Sequence, residues 1–222
     1  MMKRALLIGV AVGVTGLVLA AVIAGPQMLA GYRFMSALDS HYARYDADVG
    51  TWPQPQDTCN ACHGASGQSQ NEQYPSLAGQ QASYLQAQLQ AFAQGKRHSA
   101  QMEPLAATLS DDQIASLAQY FARQTPLRTD TPAADERLSA EGQASAAARG
   151  CSACHGSDFM GGATGPRLAG QGQAYLLSQL LAFKQGTRTD PSGTMNATAG
   201  LLSPAEAQAL AHYLAGLAAA SR

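Results

Sequence analysis

All four cysteines of this 222-residue chain stand in two matching settings, Cys59-Asn-Ala-Cys62-His63 and Cys151-Ser-Ala-Cys154-His155. Two thiols at this spacing can each add across one vinyl group of a haem, forming permanent thioethers. The histidine that follows is then held beneath the iron as its proximal nitrogen ligand. The pattern predicts two covalently bound haem c groups, attached through Cys59, Cys62, Cys151 and Cys154, with His63 and His155 as axial ligands. Two other chemistries use paired cysteines. A zinc ribbon places its pairs about 15–20 residues apart, whereas 88 residues lie between Cys62 and Cys151. A redox disulfide belongs in a strand-helix-strand setting, which neither pair has, and neither alternative needs the histidines.

Haem iron in an electron carrier takes a second axial ligand, and a methionine thioether raises its potential. Met102 lies 39 residues after His63, and Met195 lies 40 after His155. Each sits in a glycine- and polar-rich stretch between predicted helices, where a loop could cross the opposite haem face. Methionine is commonly a core filler, but the matching distance from both motifs favours ligation by Met102 and Met195. Met160 is too close to Cys154 to reach the far face. His98 rivals Met102, yet its counterpart is Thr189, so bis-histidine ligation is open for the first haem only. Pro75 and Pro166 are expected to start segments whose backbone carbonyls accept the free N–H of each proximal histidine. Arg97 and Arg188 have two readings, as donors to haem propionates or as solvated arginines at helix ends.

The elements that must position these residues are duplicated with them. Pro75-Ser-Leu-Ala-Gly-Gln80 is matched by Pro166-Arg-Leu-Ala-Gly-Gln171. Tyr84, Gln88-Leu89, Phe92 and Gly95-Lys-Arg97 are matched by Tyr175, Gln179-Leu180, Phe183 and Gly186-Thr-Arg188, all at an offset of 91. Beyond a two-residue insertion, Met102, Ser110 and Tyr120 pair with Met195, Ser203 and Tyr213. Two copies are too few for a solenoid, so two globular domains are expected, 57–126 and 127–222, with a linker at about 125–138. Tyr84, Leu85, Gln88, Leu89 and Phe92 fall on one face of a helix ending near Gly95. Ser110-Asp-Asp-Gln113 and Ser203-Pro-Ala-Glu206 read as capping boxes that open the last helix of each copy. Residues 140–149 read as a helix leading into Cys151. Pro53 and Pro55 leave the approach to Cys59 without such a lead-in.

Lys3 and Arg4 precede an apolar run, Ala5 to Ala24, that ends at Gly25-Pro26. Twenty such residues are about enough to cross a bilayer, and the basic start places the remainder outside. Residues 1–24 are therefore expected to be a membrane anchor or a signal segment, and 25–56 a tether, with Tyr32, Phe34 and Tyr42 near the membrane interface. Only 13% of residues are charged and the net charge is −1, which gives no sign of a nucleic-acid partner.

Residues from about 57 to 222 resemble the cytochrome c4 family. The resemblance rests on Cys-x-Ala-Cys-His-Gly, Pro-x-Leu-Ala-Gly-Gln with the following Tyr and Gln-Leu, Gly-x-Arg before the methionine, and Leu-Ser before the last helix. It implies an all-α tandem pair of class I cytochrome c domains with His/Met ligation, behind the N-terminal transmembrane or signal helix. It also implies a periplasmic electron carrier, not an enzyme, that accepts electrons from a quinol-oxidising complex or a dehydrogenase and passes them to a terminal oxidase. The long N-terminal segment favours a carrier held at the inner membrane by residues 5–24 over one freed by signal cleavage. The rivals are a dedicated subunit of a dehydrogenase or oxidase complex and, with less support, a dihaem peroxidase. The latter needs an open iron, whereas both copies offer a methionine.

Overall fold

The computed structural model describes residues 22–40, 54–129, 135–162 and 164–219, and every regular element among them is helical. The chain divides into two units, Met1–Gln54 and Pro55–Arg222. In the first unit, α1 spans residues 22–40. It exposes Val22, Ile23, Met28, Tyr32 and Phe34. The helix runs through Gly25-Pro26 and occupies the first half of the segment read as a tether, 25–56. Good helix formers such as Gln27, Met28, Leu29 and Ala30 follow the break and sustain it. Residues 5–21 of the expected span lie outside the described residues. Among the described residues, no helix is long and apolar enough to cross a membrane.

The second unit repeats one plan twice. Its first half has α2 (Pro55–His63), a short 3-10 turn (Ala65–Gly67), α3 (Ala82–Ala93), α4 (Met102–Ala106) and α5 (Asp111–Ala122). Its second half has α6 (Glu136–Ala148), α7 (Ser152–His155), α8 (Gln173–Gln185), α9 (Thr194–Gly200) and α10 (Pro204–Gly216). Both expected capping boxes form. Ser110 Oγ accepts from the Gln113 N–H and Gln113 returns the bond. Ser203 and Glu206 do the same at α10, with Pro204 in its first turn. Such a cap contributes about 1 kcal/mol.

The approaches to the two cysteine motifs differ. In the first half one helix that begins at Pro55 holds Cys59, Cys62 and His63 together, because proline is tolerated where no helical N–H bond is required. In the second half α6 stops at Ala148, Gly150 turns at φ +64°, and Cys151 opens the separate α7.

Each half has its own small core. Leu85, Leu117, Ala118 and Phe121 bury one another where α3 packs on α5, with Cys59, Leu77 and Leu89 at the margin. Around α10, Ala146, Phe159, Met160, Leu176, Leu210 and Leu214 form the second, bordered by Cys151. Met160 is thus a core residue. The α6–α10 crossing is close: a Cβ at Gly142 would lie 2.1 Å from the Ala209 carbonyl oxygen.

The halves are joined through their repeated Pro-x-Leu-Ala-Gly-Gln segments. Gln80 accepts the Arg167 N–H at 2.9 Å and donates to the Arg167 carbonyl at 3.0 Å. Gln171 treats Ser76 likewise, both bonds being 2.8 Å. Within each half the glycine before that glutamine ties the segment to the last helix, Gly79 to the Phe121 carbonyl and Gly170 to that of Leu214.

Candidate functional site

On a helix, residues three and four apart share a face, so α2 presents Cys59, Cys62 and His63 as one group. All four cysteines are free thiols. Burial raises the thiol pKa of Cys59 and of Cys151, so neither is a ready thiolate. Each motif is closed by a glycine in a conformation that side chains resist, Gly64 at φ +79° and Gly156 at φ +85°. The chain thereby turns sharply after each histidine.

The histidines are oriented as the sequence predicts. His63 Nδ1 lies 2.8 Å from the Pro75 carbonyl oxygen, and His155 Nδ1 lies 2.8 Å from that of Pro166. A carbonyl only accepts, so Nδ1 carries the proton and Nε2 keeps its lone pair. Burial lowers the pKa of both rings, more than the carbonyl bond raises it, which keeps them neutral and able to ligate. A buried neutral imidazole fixed through Nδ1, beside two free thiols at the edge of a thin apolar core, is a donor set that fits haem c.

The surroundings of the two rings are unequal. Tyr74 stands edge-on to His63, ring centroids 6.3 Å apart. Its counterpart is Gly165, where a Cβ would lie 2.9 Å from His155 Nδ1 and 2.7 Å from the Cys154 carbonyl oxygen. Only glycine lets the backbone pass so near.

Met102 is the first residue of α4, and Met195 lies in the first turn of α9; both are half-buried. Each thus sits in a short helix instead of an open loop. The backbone of each is held by a side chain that sequence reasoning missed. Ser99 Oγ accepts the Met102 N–H at 3.2 Å, and the Asp190 carboxylate accepts that of Met195 at 3.0 Å. Asn196 braces the second turn by donating to the Phe183 and Arg188 carbonyls. The signal was a Ser or Asp a few residues ahead of each methionine, since such side chains readily accept nearby backbone N–H groups in turns. His98, the rival ligand, is on the surface, 3.5 Å from the Glu103 carboxylate with 71% of its side chain exposed.

Arg97 and Arg188 are not solvated arginines at helix ends. Arg188 is buried. It donates to Gln179, and across the domain boundary to the Tyr84 hydroxyl at 2.9 Å and to Gln88. Arg97 mirrors it, donating to Gln88, to Gln179 and to the Tyr175 hydroxyl at 3.3 Å. Each guanidinium also lies over a ring of its own half, Phe92 or Phe183. Burial raises the Tyr84 phenol pKa. For Tyr175 burial acts the same way, but Arg97 and Arg188 outweigh it and hold that phenol low. The face of α3 that carries Tyr84 and Gln88 therefore serves the domain interface.

A family model described as cytochrome c matches the chain twice, over residues 54–124 and 139–218. The thiosulfate dehydrogenase electron acceptor of Thiomonas intermedia is 39% identical over 168 residues, 71% of this chain and 77% of that protein. Cytochrome c4 of Pseudomonas aeruginosa is 38% identical over 170 residues, covering 72% and 83%. The crystal structure of reduced recombinant cytochrome c4 from Pseudomonas stutzeri superposes with a TM-score of 0.65 at 33% identity, over 73% of this chain and 94% of that one. Two covalently bound haem c groups and an electron-carrying role without enzymatic turnover go with that likeness. In sequence and in fold, the chain belongs to the cytochrome c family, among the two-domain cytochromes c4.

Proposed function

We propose that this dihaem cytochrome relays single electrons at the periplasmic face of the bacterial inner membrane, held there by residues 5–24, from a dehydrogenase or quinol-oxidising complex to a terminal oxidase. The domains are 57–126 and 127–222. Bound haem supplies one-electron chemistry between Fe(III) and Fe(II). Cys59 and Cys62 hold the first group and Cys151 and Cys154 the second. His63 and Met102 would ligate one iron, and His155 and Met195 the other. The observation that carries the reading is the twice-repeated histidine, locked by a proline carbonyl with Nε2 unprotonated beside two free thiols. Held through Nδ1, each imidazole would keep one orientation toward a bound iron.

Intact mass of the protein from its native membrane tests attachment and anchoring together. Two haem increments with residues 1–24 retained are expected; a mass without both haems overturns the reading. Met102→Ala and Met195→Ala should each abolish the thioether-to-iron absorption of one haem and lower its potential, leaving the other unchanged.

One observation favours a second reading, a dedicated acceptor bound to its dehydrogenase. A relative at 39% identity is named as the electron acceptor of thiosulfate dehydrogenase. Co-purification of such an enzyme from detergent-solubilised membranes would favour this second reading over a free relay.

A further inference from the structure

The two halves differ at the residue after the histidine-orienting proline. In the first half it is Ser76, whose hydroxyl donates to the Gly67 carbonyl at 3.0 Å. In the second it is Arg167, whose side chain is 1% exposed. Its Nη1 donates to the Ala169 carbonyl at 2.5 Å, and its Nη2 crosses the boundary to the carbonyls of Ser76 at 3.2 Å and Ala78 at 3.1 Å. All these partners are neutral. Among the described residues no carboxylate pairs with Arg167, and Nε has no partner. Burial lowers its pKa to about 10, which still leaves the guanidinium charged at neutral pH. A cation buried this deeply among neutral protein groups costs stability. Its position suggests what that cost serves.

Arg167 directly follows Pro166, whose carbonyl orients His155, and its guanidinium binds the backbone directly after Pro75, whose carbonyl orients His63. It therefore lies between the histidine-bearing sides of both domains. We propose that Arg167 is a shared electrostatic tuning residue, a fixed buried cation that raises the reduction potential of both haems at once. Reduction removes one positive charge from each iron, so a nearby cation disfavours the ferric form of both. In a buried, poorly polarisable setting the effect reaches further and is less screened by salt than at the surface. The inference rests on His63 and His155 being the proximal ligands.

The test is a spectroelectrochemical titration of the full dihaem protein. In Arg167→Gln both reduction equilibria should fall about tenfold, a shift of about 59 mV for a one-electron couple, and the shift should persist at high salt. Gln80→Ala removes two interdomain bonds to the Arg167 backbone but keeps the charge, and should leave both potentials within twofold. Arg137→Gln, at an exposed ion pair, should shift neither at high salt. Arg167→Met serves if the glutamine variant does not accumulate. The proposal is overturned by unchanged potentials in the neutral variants, by movement of one haem alone, or by an equal fall in Gln80→Ala. A wrong ligand assignment would show earlier and separately, as a native spectrum without histidine–methionine low-spin haem.

Discussion

Gln171 grips the backbone of Ser76 with both atoms of its amide, the N–H of Ser76 at 2.8 Å and its carbonyl at 2.8 Å. Gln80 grips Arg167 in the same way. The gripped residue in each case follows the proline whose carbonyl fixes a histidine. The repeated segment therefore has two tasks: its proline orients the ring of its own domain, and its glutamine steadies the matching segment of the other. Coupling the domains and holding the histidines are one arrangement.

Removing Gln171 would strand the buried N–H of Ser76, while the Ser76 carbonyl would keep only its bond from Arg167. Gln171→Ala is expected to destabilise the protein by about 1–3 kcal/mol, the penalty for buried polar groups left unpaired. Gln80→Ala should act similarly, and the double variant should show the halves unfolding in two separate steps. Guanidinium titration followed by helical circular dichroism and by haem absorbance checks this.

Asp190 and Ser99 hold the methionine backbones by accepting their N–H groups. Asp190→Ala should loosen Met195 only, and Ser99→Ala should loosen Met102 only. A lost hydrogen bond of about 1 kcal/mol predicts roughly fivefold tighter binding of added imidazole at the affected iron. Imidazole titration of the oxidised variants, followed by absorption, reads each haem in turn.

The α6–α10 crossing leaves no space for a side chain at Gly142. Although alanine favours helix, Gly142→Ala should destabilise the second domain by about 1–3 kcal/mol through overpacking. Thermal melting should show the loss. A gain in melting temperature would contradict the close approach.

Glu206 is held well below its ordinary value, from 4.5 to about 2, first by the Arg149 guanidinium and then by the Ser203 backbone and hydroxyl. A carboxylate with a depressed folded-state pKa contributes stability above its unfolded value, and that contribution fades as pH falls toward the folded one. Between about pH 4.5 and 2, Glu206→Gln should therefore lose less stability than the native chain. Denaturation midpoints at several pH values across that window test it.

The haem motifs, the duplication, the capping boxes and the histidine-to-proline bonds were legible in the sequence because each depends on spacing along one short stretch of chain. Cysteines three apart share a helical face in any context, and Ser110 caps the helix beginning at its own next residue. The partners of Arg97, Arg188 and Arg167 were not legible. Each completes its hydrogen bonds with groups roughly 80–100 positions away that meet only when the two domains dock. Tyr84 and Gln88 illustrate the limit: their helical periodicity marked a buried face correctly, but periodicity carries no information about what covers that face. The sequence by itself determined that two like haem-attachment motifs exist, each set in the same duplicated surroundings. The tertiary structure alone decided that the two repeated segments are joined through backbone and that the buried Arg167 bridges them, because only folding brings residue 167 against residues 76 and 78.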